Sequence, residues 1–390
     1  MTIRPPSTSD TVGRGIYVHV PFCIVRCGYC DFNAYAGMDE LAHPYVEALI
    51  SEIRHRSDEG PVATVFFGGG TPTQLDSDHL GRIIDAIRDC FDVAADAEVT
   101  IEANPESVSR SKFTQLLEAG FNRVSIGVQS LSPHILAKLE RVHSAERALE
   151  ALGEASAAGF ERRSADLIYG TPSESIADWQ DGVGRILETG VDHISAYALT
   201  VEEGTPLHSW VGRGQMPPPD EDDQAMKYEW LVERLAGAGF TRYEVSNFAK
   251  GRSWCRHNLN YWQAGEYLGL GAGAHSHVSG RRSWNLKSPQ GYIAKAPEVE
   301  EGFEVLGAAA AAADAAMLGI RLSGGIDLGH FQETFGVDLL ESYGSPLEEL
   351  MGRGILELED GYLRLSERGH LLGSQAAMVF VSPLSELARS

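Results

Sequence analysis

Basic residues are scarce in this chain: 32 lysines and arginines stand against 55 aspartates and glutamates, a formal charge of −23. A surface of that sign repels phosphate backbones and anionic lipid, so neither general nucleic-acid binding nor a membrane-surface role is expected. A local basic pocket for an anionic ligand stays compatible with it. Long apolar runs are missing as well. The greasiest stretch, from Val305 to Ile320, is mostly alanine and is broken by Asp314, so it reads as a helix and not as a membrane span. Residues 1–13 are polar, contain proline and serine, and have no apolar core of the kind a signal peptide needs; they are expected to form a flexible leader. Cysteine is rare too. There are five in 390 residues, and three of them are crowded together, which is not a disulfide framework. With no export signal, the expected location is the reducing cytoplasm.

What remains is the composition of a globular protein, with 43% hydrophobic and 22% charged residues. Its length suits one large domain and a small one. From Gly15 to about Phe248 a strand-like run followed by an amphipathic run recurs at about 30 residues, the length of a βαβ step. Strands are expected at Ile16–Val20, Thr64–Phe67, Val99–Glu102, Arg123–Val128, Ser164–Ile168, His193–Ala198 and Arg242–Val245. Helices are expected between them, at Tyr45–Arg56, Leu80–Cys90, Lys112–Glu118, Ala145–Ala157, Ile176–Glu188 and Gln224–Ala236. Four of these helices run into related punctuation, such as Ala119-Gly120-Phe121 and Ala158-Gly159-Phe160, where glycine takes the left-handed closing position. Strands alternating with helices imply a parallel sheet, flat or curved into a barrel.

The unusual residues fall at one end of these strands. The cysteine loop follows the first, Gly68-Gly69-Gly70-Thr71-Pro72 the second, and Glu102-Ala-Asn-Pro105 the third. Gln129-Ser130 ends the fourth, Asp166 to Pro172 the fifth, and Ser195 to Thr200 the sixth. That is the carboxyl-end face on which α/β sites are built.

Cys23, Cys27 and Cys30 form a C-x3-C-x2-C triplet. Closely spaced thiolates hold iron–sulfur clusters, and three of them leave one iron of a cubane without a protein ligand. A redox dithiol would need only Cys27 and Cys30. A structural zinc site would need a fourth ligand, and only the strand residue His19 is near in sequence. Cys90, on an apolar helix face, has the pattern of an inert buried thiol. The glycine run would let a ligand's amino-acid moiety approach closely and offer free N–H groups to a carboxylate. Glu102, Gln129, Arg141 and Asp166 add polar groups to the same face.

Downstream, His257-Asn258-Leu-Asn-Tyr261-Trp262 is followed by a glycine-rich run ending in His275-Ser-His277. Histidines, aromatics and glycines together suit a large flat ligand with imidazole available to a metal; a loop histidine satisfied by backbone is the alternative. Cys255 is a further soft donor nearby. From about Ala310 the pattern changes to helices and then to two alternating strands around Asp360-Gly361, a hairpin signature. This reads as a winged-helix-like α+β unit whose acidic balance favours packing or docking over DNA.

These residues carry a resemblance that covers nearly the whole chain. Tyr17-x-His19-x-Pro21-Phe22-Cys23, Phe67-Gly68-Gly-Gly-Thr-Pro72, Asn122–Gln129, Asp166–Gly170 and His257–Trp262 resemble the radical S-adenosylmethionine (SAM) superfamily. The branch is the one containing oxygen-independent coproporphyrinogen III oxidase and a haem chaperone related to it. The resemblance implies an α/β fold, a partial (β/α)6 barrel over residues 14–250. It also implies a haem- or substrate-side segment over 251–305 and a C-terminal domain over 306–390. It implies a [4Fe–4S] cluster on Cys23, Cys27 and Cys30, with SAM on the open iron. Tyr17, Tyr29, Gly69, Gly70, Thr71, Glu102, Gln129, Arg141, Asp166 and Ala198 then look like the SAM-contacting set. The decarboxylase carries a fourth cysteine two residues after the third, where this chain has Phe32. The resemblance therefore points to haem binding, with His257 as the expected haem ligand, haem-acceptor proteins as partners and an electron donor for the cluster. Porphyrinogen decarboxylation is the alternative activity.

Overall fold

A computed structural model of the chain describes residues 4–57 and 60–381. Six parallel strands carry the repeat: β1 (Arg14–Val20), β2 (Pro61–Gly69), β3 (Asp92–Ala103), β4 (Arg123–Gln129), β5 (Arg162–Tyr169) and β6 (His193–Ala198), paired in that order. The intervening helices are α1 (Ala42–His55), α2 (Ser77–Cys90), α3 (Arg110–Ala119), a short α4 (Pro133–Lys138) with α5 (Ala145–Ala158), and α6 (Ile176–Glu188). Because helices cover one face and the site the other, the strands are buried over most of their length, β4 from Arg123 to Val128 without a break. Each helix buries one stripe: Leu80, Ile83, Ile84 and Ile87 of α2 recur at helical spacing and are all core.

The glycine punctuation works as expected. The amides of Phe121 and Phe160 return to the carbonyls of Leu116 and Ala155 at 3.0 and 3.1 Å, across Gly120 and Gly159 at φ +99° and +113°. At the other ends, the hydroxyls of Ser109 and Ser144 accept the amides of Lys112 and Arg147.

The sheet does not close on itself. Beyond β6, after helices α7 (Pro206–Gly212) and α8 (Glu221–Gly237), lie β7 (Phe240–Glu244) and β8 (Asn247–Lys250), with β8 antiparallel to β6 and β7 antiparallel to β8. The strand expected at Arg242–Val245 is therefore not a seventh parallel strand. Only Val245 and Ser246 connect it to its neighbour, a hairpin length that admits no crossover. On the opposite flank β9 (Tyr267–Leu270) runs parallel to β1, and β10 (His275–Val278), β11 (Arg281–Asn285) and β12 (Glu300–Val305) extend it as an antiparallel meander. The result is an α/β fold: one large, mostly parallel sheet with two free ends among the described residues, an open barrel.

The C-terminal α+β unit has its own core, in which Ala312, Phe331, Tyr343, Leu347 and Leu363 are buried together. The hairpin at Leu356–Glu359 and Tyr362–Leu365 turns through Asp360 and Gly361, both at positive φ, and pairs with Ile326–Asp327. Residues 4–13 are not loose. Ser7 is fully buried, the Thr8 amide donates to Gly325, and the Gln263 side chain donates to the Ser7 carbonyl at 3.0 Å. No helix among the described residues is long and apolar enough to cross a membrane.

Candidate functional site

The carboxyl ends of β2 to β6 and the cysteine loop enclose a cavity of about 420 Å³. Cys23, Cys27, Cys30, Tyr29, Gly69, Gly70, Thr71, Glu102, Gln129, Arg141, Asp166 and Ala198 all line it. Residues up to 179 positions apart in sequence, Cys23 and Glu202, meet there, because parallel strands point their carboxyl ends the same way.

The loop that carries the thiols is held at both ends. It leaves β1 through Phe22–Cys23, which pairs with Tyr35–Ala36 and so brings the loop back. Asn33 donates to the carbonyls of Ala272 and Lys287, each at 3.0 Å, and its own carbonyl lies 2.9 Å from His19 Nε2. On the far side α7 (Pro206–Gly212) presses Trp210 so closely on Gly28 that no side chain fits there. The Leu207 amide donates to the Gly28 carbonyl at 2.8 Å.

A polar chain ties two of the thiols together. Cys23 Sγ lies 3.5 Å from Thr71 Oγ1, which accepts from Asn104 Nδ2 at 2.8 Å. Arg141 Nη2 donates to Asn104 Oδ1, and Arg141 Nη1 lies 3.7 Å from Cys27 Sγ. Asn104 was not among the expected site residues. The signal for it was present, since an asparagine before Pro105 at a strand end caps the following turn. Ser125, whose hydroxyl donates to both oxygens of Asp166 at 2.8 and 2.9 Å, was missed for want of any sequence signal.

The glycine run acts differently from expectation. Gly70 and Thr71 spend their N–H groups on the carbonyls of Val20 and Phe22, at 2.8 and 2.7 Å, and Gly69 gives its own to Glu102. The glycines are needed for close packing: a Cβ on Gly70 would fall 2.7 Å from the Phe22 carbonyl. Their place is to bind the β2 end to the root of the cysteine loop. Gln129 sits at φ +63°, a left-handed conformation that costs a non-glycine residue energy and is typical of functional sites.

The electrostatics follow from two buried carboxylates in one cavity. Burial, and then the charge of Asp166, push the Glu102 carboxyl up to about 8. Burial raises Asp166 as well, against the hydroxyls of Ser195, Ser125 and Ser164. Glu102 is therefore protonated in the folded chain at a pH where it ionises when unfolded, and the folding penalty grows as pH rises from about 4.3 to 8. Glu102→Gln is expected to raise the melting temperature of ligand-free protein, with a gain that is absent at pH 4 and largest at pH 8. Scanning calorimetry across that range checks it; a gain that does not vary with pH sinks it.

The residues fit a cluster with SAM. Three free thiols share one cavity wall, and the buried Arg141 Nε has no partner among the described residues. The thiols do not form a tight preassembled cage, since no three cysteine, histidine or acidic side chains among the described residues are grouped closely enough to hold a metal ion. The remaining cysteines lie elsewhere, Cys90 on α2 and Cys255 under the opposite strand ends.

Two expected site residues lie outside this cavity. Tyr17 lines an adjoining cavity of about 510 Å³. His257, the expected haem ligand, lines neither of these two cavities. It is 1% exposed, on α9 (Arg256–Trp262), with Nδ1 2.8 Å from Thr64 Oγ1 and Nε2 3.0 Å from Tyr261 Oη. Its ring stacks on Phe66, and burial pushes its pKa down to about 4. Both nitrogens are used, so the neutral ring is a structural group beneath the site. The buried Glu98 carboxylate anchors α9 by accepting the amides of Arg256 and His257, each at 3.1 Å, while pairing with Arg162 at 2.8 Å.

Comparison with known proteins agrees with this geometry. A model of the radical SAM superfamily matches residues 17–183, and one of the HemN C-terminal domain matches residues 308–372. The heme chaperone HemW of Mycobacterium tuberculosis is 43% identical over 92% of each chain. The Bacillus subtilis protein of the same name is 32% identical, covering 95% of this chain and all of the relative. Coproporphyrinogen III oxidase (HemN) of Escherichia coli superposes with a TM-score of 0.81 over 95% of this chain and 90% of its own; at 21% identity that likeness speaks for the fold.

Proposed function

The chain belongs to the radical SAM superfamily, in the family of the HemW proteins, and from that premise we propose that it binds a [4Fe–4S] cluster, SAM and haem and hands haem to acceptor proteins. The observation that carries this reading is the pair of joined cavities. One is lined by Cys23, Cys27 and Cys30, the other by aromatic rings, and Phe32, 61% exposed, lines both. A cluster and SAM held in the first would supply one-electron reductive cleavage of the sulfonium, fed by an electron donor. The chain's own residues have plainer tasks. Cys23, Cys27 and Cys30 ligate iron; Arg141, through its unpartnered Nε, is the donor for a carboxylate; Glu102 and Asp166 accept from an ammonium or hydroxyl group. Tyr29, Gly69, Gly70, Thr71, Gln129 and Ala198 shape the wall and keep water out.

Haem titrated into anaerobically reconstituted protein is expected to give a Soret shift that saturates at one haem per chain. An unshifted band at stoichiometric concentrations would refute the reading. Incubation with SAM, reductant and coproporphyrinogen III is expected to leave that substrate unchanged; formation of protoporphyrinogen IX would favour decarboxylation instead.

A further inference from the structure

Resting on the haem-binding reading, we propose that the iron of the bound haem is ligated by His275, in the cavity beside the cysteine site. The cavity of about 510 Å³ falls within the roughly 300–1,000 Å³ typical of small-molecule and cofactor sites. Its walls are aromatic, with Tyr17, Tyr261, Tyr267 and Phe32 supplying the flat apolar surface that a porphyrin plane needs. Which imidazole can meet a metal is decided by what each already binds. Two histidines line the cavity, His19 and His275. His19 is 5% exposed, with one ring nitrogen against Tyr17 Oη at 3.1 Å and the other against the Asn33 carbonyl at 2.9 Å. His275 is exposed at the start of β10, and neither of its ring nitrogens has a hydrogen-bond partner among the described residues. Its ring lies beside that of Trp284, with centroids 6.1 Å apart.

Charge supports the same assignment. Cations are few on this chain, yet Arg26 and Lys287 both line this cavity, are exposed, and make no ion pair among the described residues. Haem carries two propionates, and two free cations beside an aromatic slot suit them. Asp31 and Glu102 also line the cavity and oppose carboxylates on their side, so the propionates would face Lys287 and Arg26. His277, two residues along β10, does not line the cavity and serves as the control.

The test adds ferric haem to reconstituted protein and to His275→Ala, His275→Met and His277→Ala, with the iron–sulfur absorbance of each recorded first. Loss of the Soret shift is expected in His275→Ala. A displaced band is expected in His275→Met, because a thioether replaces the imidazole, and the wild-type band in His277→Ala. A wild-type band and stoichiometry in His275→Ala or His275→Met overturns the assignment and leaves haem binding intact, as does loss of the shift in His277→Ala. No shift in the wild-type protein overturns the haem-binding reading itself, and this assignment with it.

Discussion

Cys27→Ala is expected to lose the brown charge-transfer absorbance and the iron that anaerobic reconstitution otherwise delivers, and with them all reductive cleavage of SAM. Two thiols cannot hold the three irons that three thiols hold, and no fourth cysteine is near enough to substitute: Cys255 Sγ faces Glu98 and Cys90 lies on α2. The same variant at Cys90 or Cys255 should keep its cluster, which separates ligation from general thiol loss. A graded effect is expected one step outward. Asn104 links Thr71, beside Cys23, to Arg141, beside Cys27. Asn104→Ala should therefore weaken cluster retention or SAM binding about 10–100-fold, as removal of residues that orient ligands does. Iron counts and SAM cleavage under reductant, measured on the same samples, check both. Full iron in Cys27→Ala would end the cluster assignment.

Glu98→Ala is expected to destabilise the chain by roughly 3–5 kcal/mol, a large share of the 5–15 kcal/mol that holds a folded domain together. Burial alone would raise this carboxyl. Arg123, Arg162 and the amides of Arg256 and His257 outweigh it and hold the pKa below its ordinary value. Removing the carboxylate takes away the ion-pair partner of Arg162 and the charge opposite the buried Arg123, and leaves α9 without its N-terminal anchor. The sign of the pH dependence follows from the depressed value. The contribution is complete above about pH 4.3 and is lost as pH falls through the folded pKa. Denaturant unfolding at pH 7 should show the full difference between variant and wild type, and the two should approach each other toward pH 3. A difference independent of pH would mean that Glu98 matters only for packing.

Much of this was legible in the sequence because its causes are local. The Ala-Gly-Phe endings of α3 and α5 close their helices through bonds between residues five apart in the chain, so the motif and the geometry are one fact. The Asp360-Gly361 hairpin is local in the same way. The meander from Tyr267 to Val305 was not legible. Its strands are short, glycine-interrupted and half-exposed, and what makes them strands is pairing with β1 and with one another. The hairpin partner of β7 was missed for a related reason: periodicity marks a strand but not its direction.

By itself the sequence determined that three thiols stand within one short loop, that strands alternate with helices, and that polar residues gather at the strand ends. Spacing and periodicity carry that information. Only the tertiary structure decided what each polar group is free to do. Gly70 and Thr71 hold the cysteine loop with amides that looked open, and His257 is committed on both nitrogens beneath the site. His275, one of three histidines the sequence sets beside aromatics and glycines, is the one that reaches the cavity with its ring nitrogens unpartnered among the described residues. A side chain's availability depends on the partners that folding brings to it, and those partners lie tens to hundreds of residues away in the chain, as Thr64 does from His257.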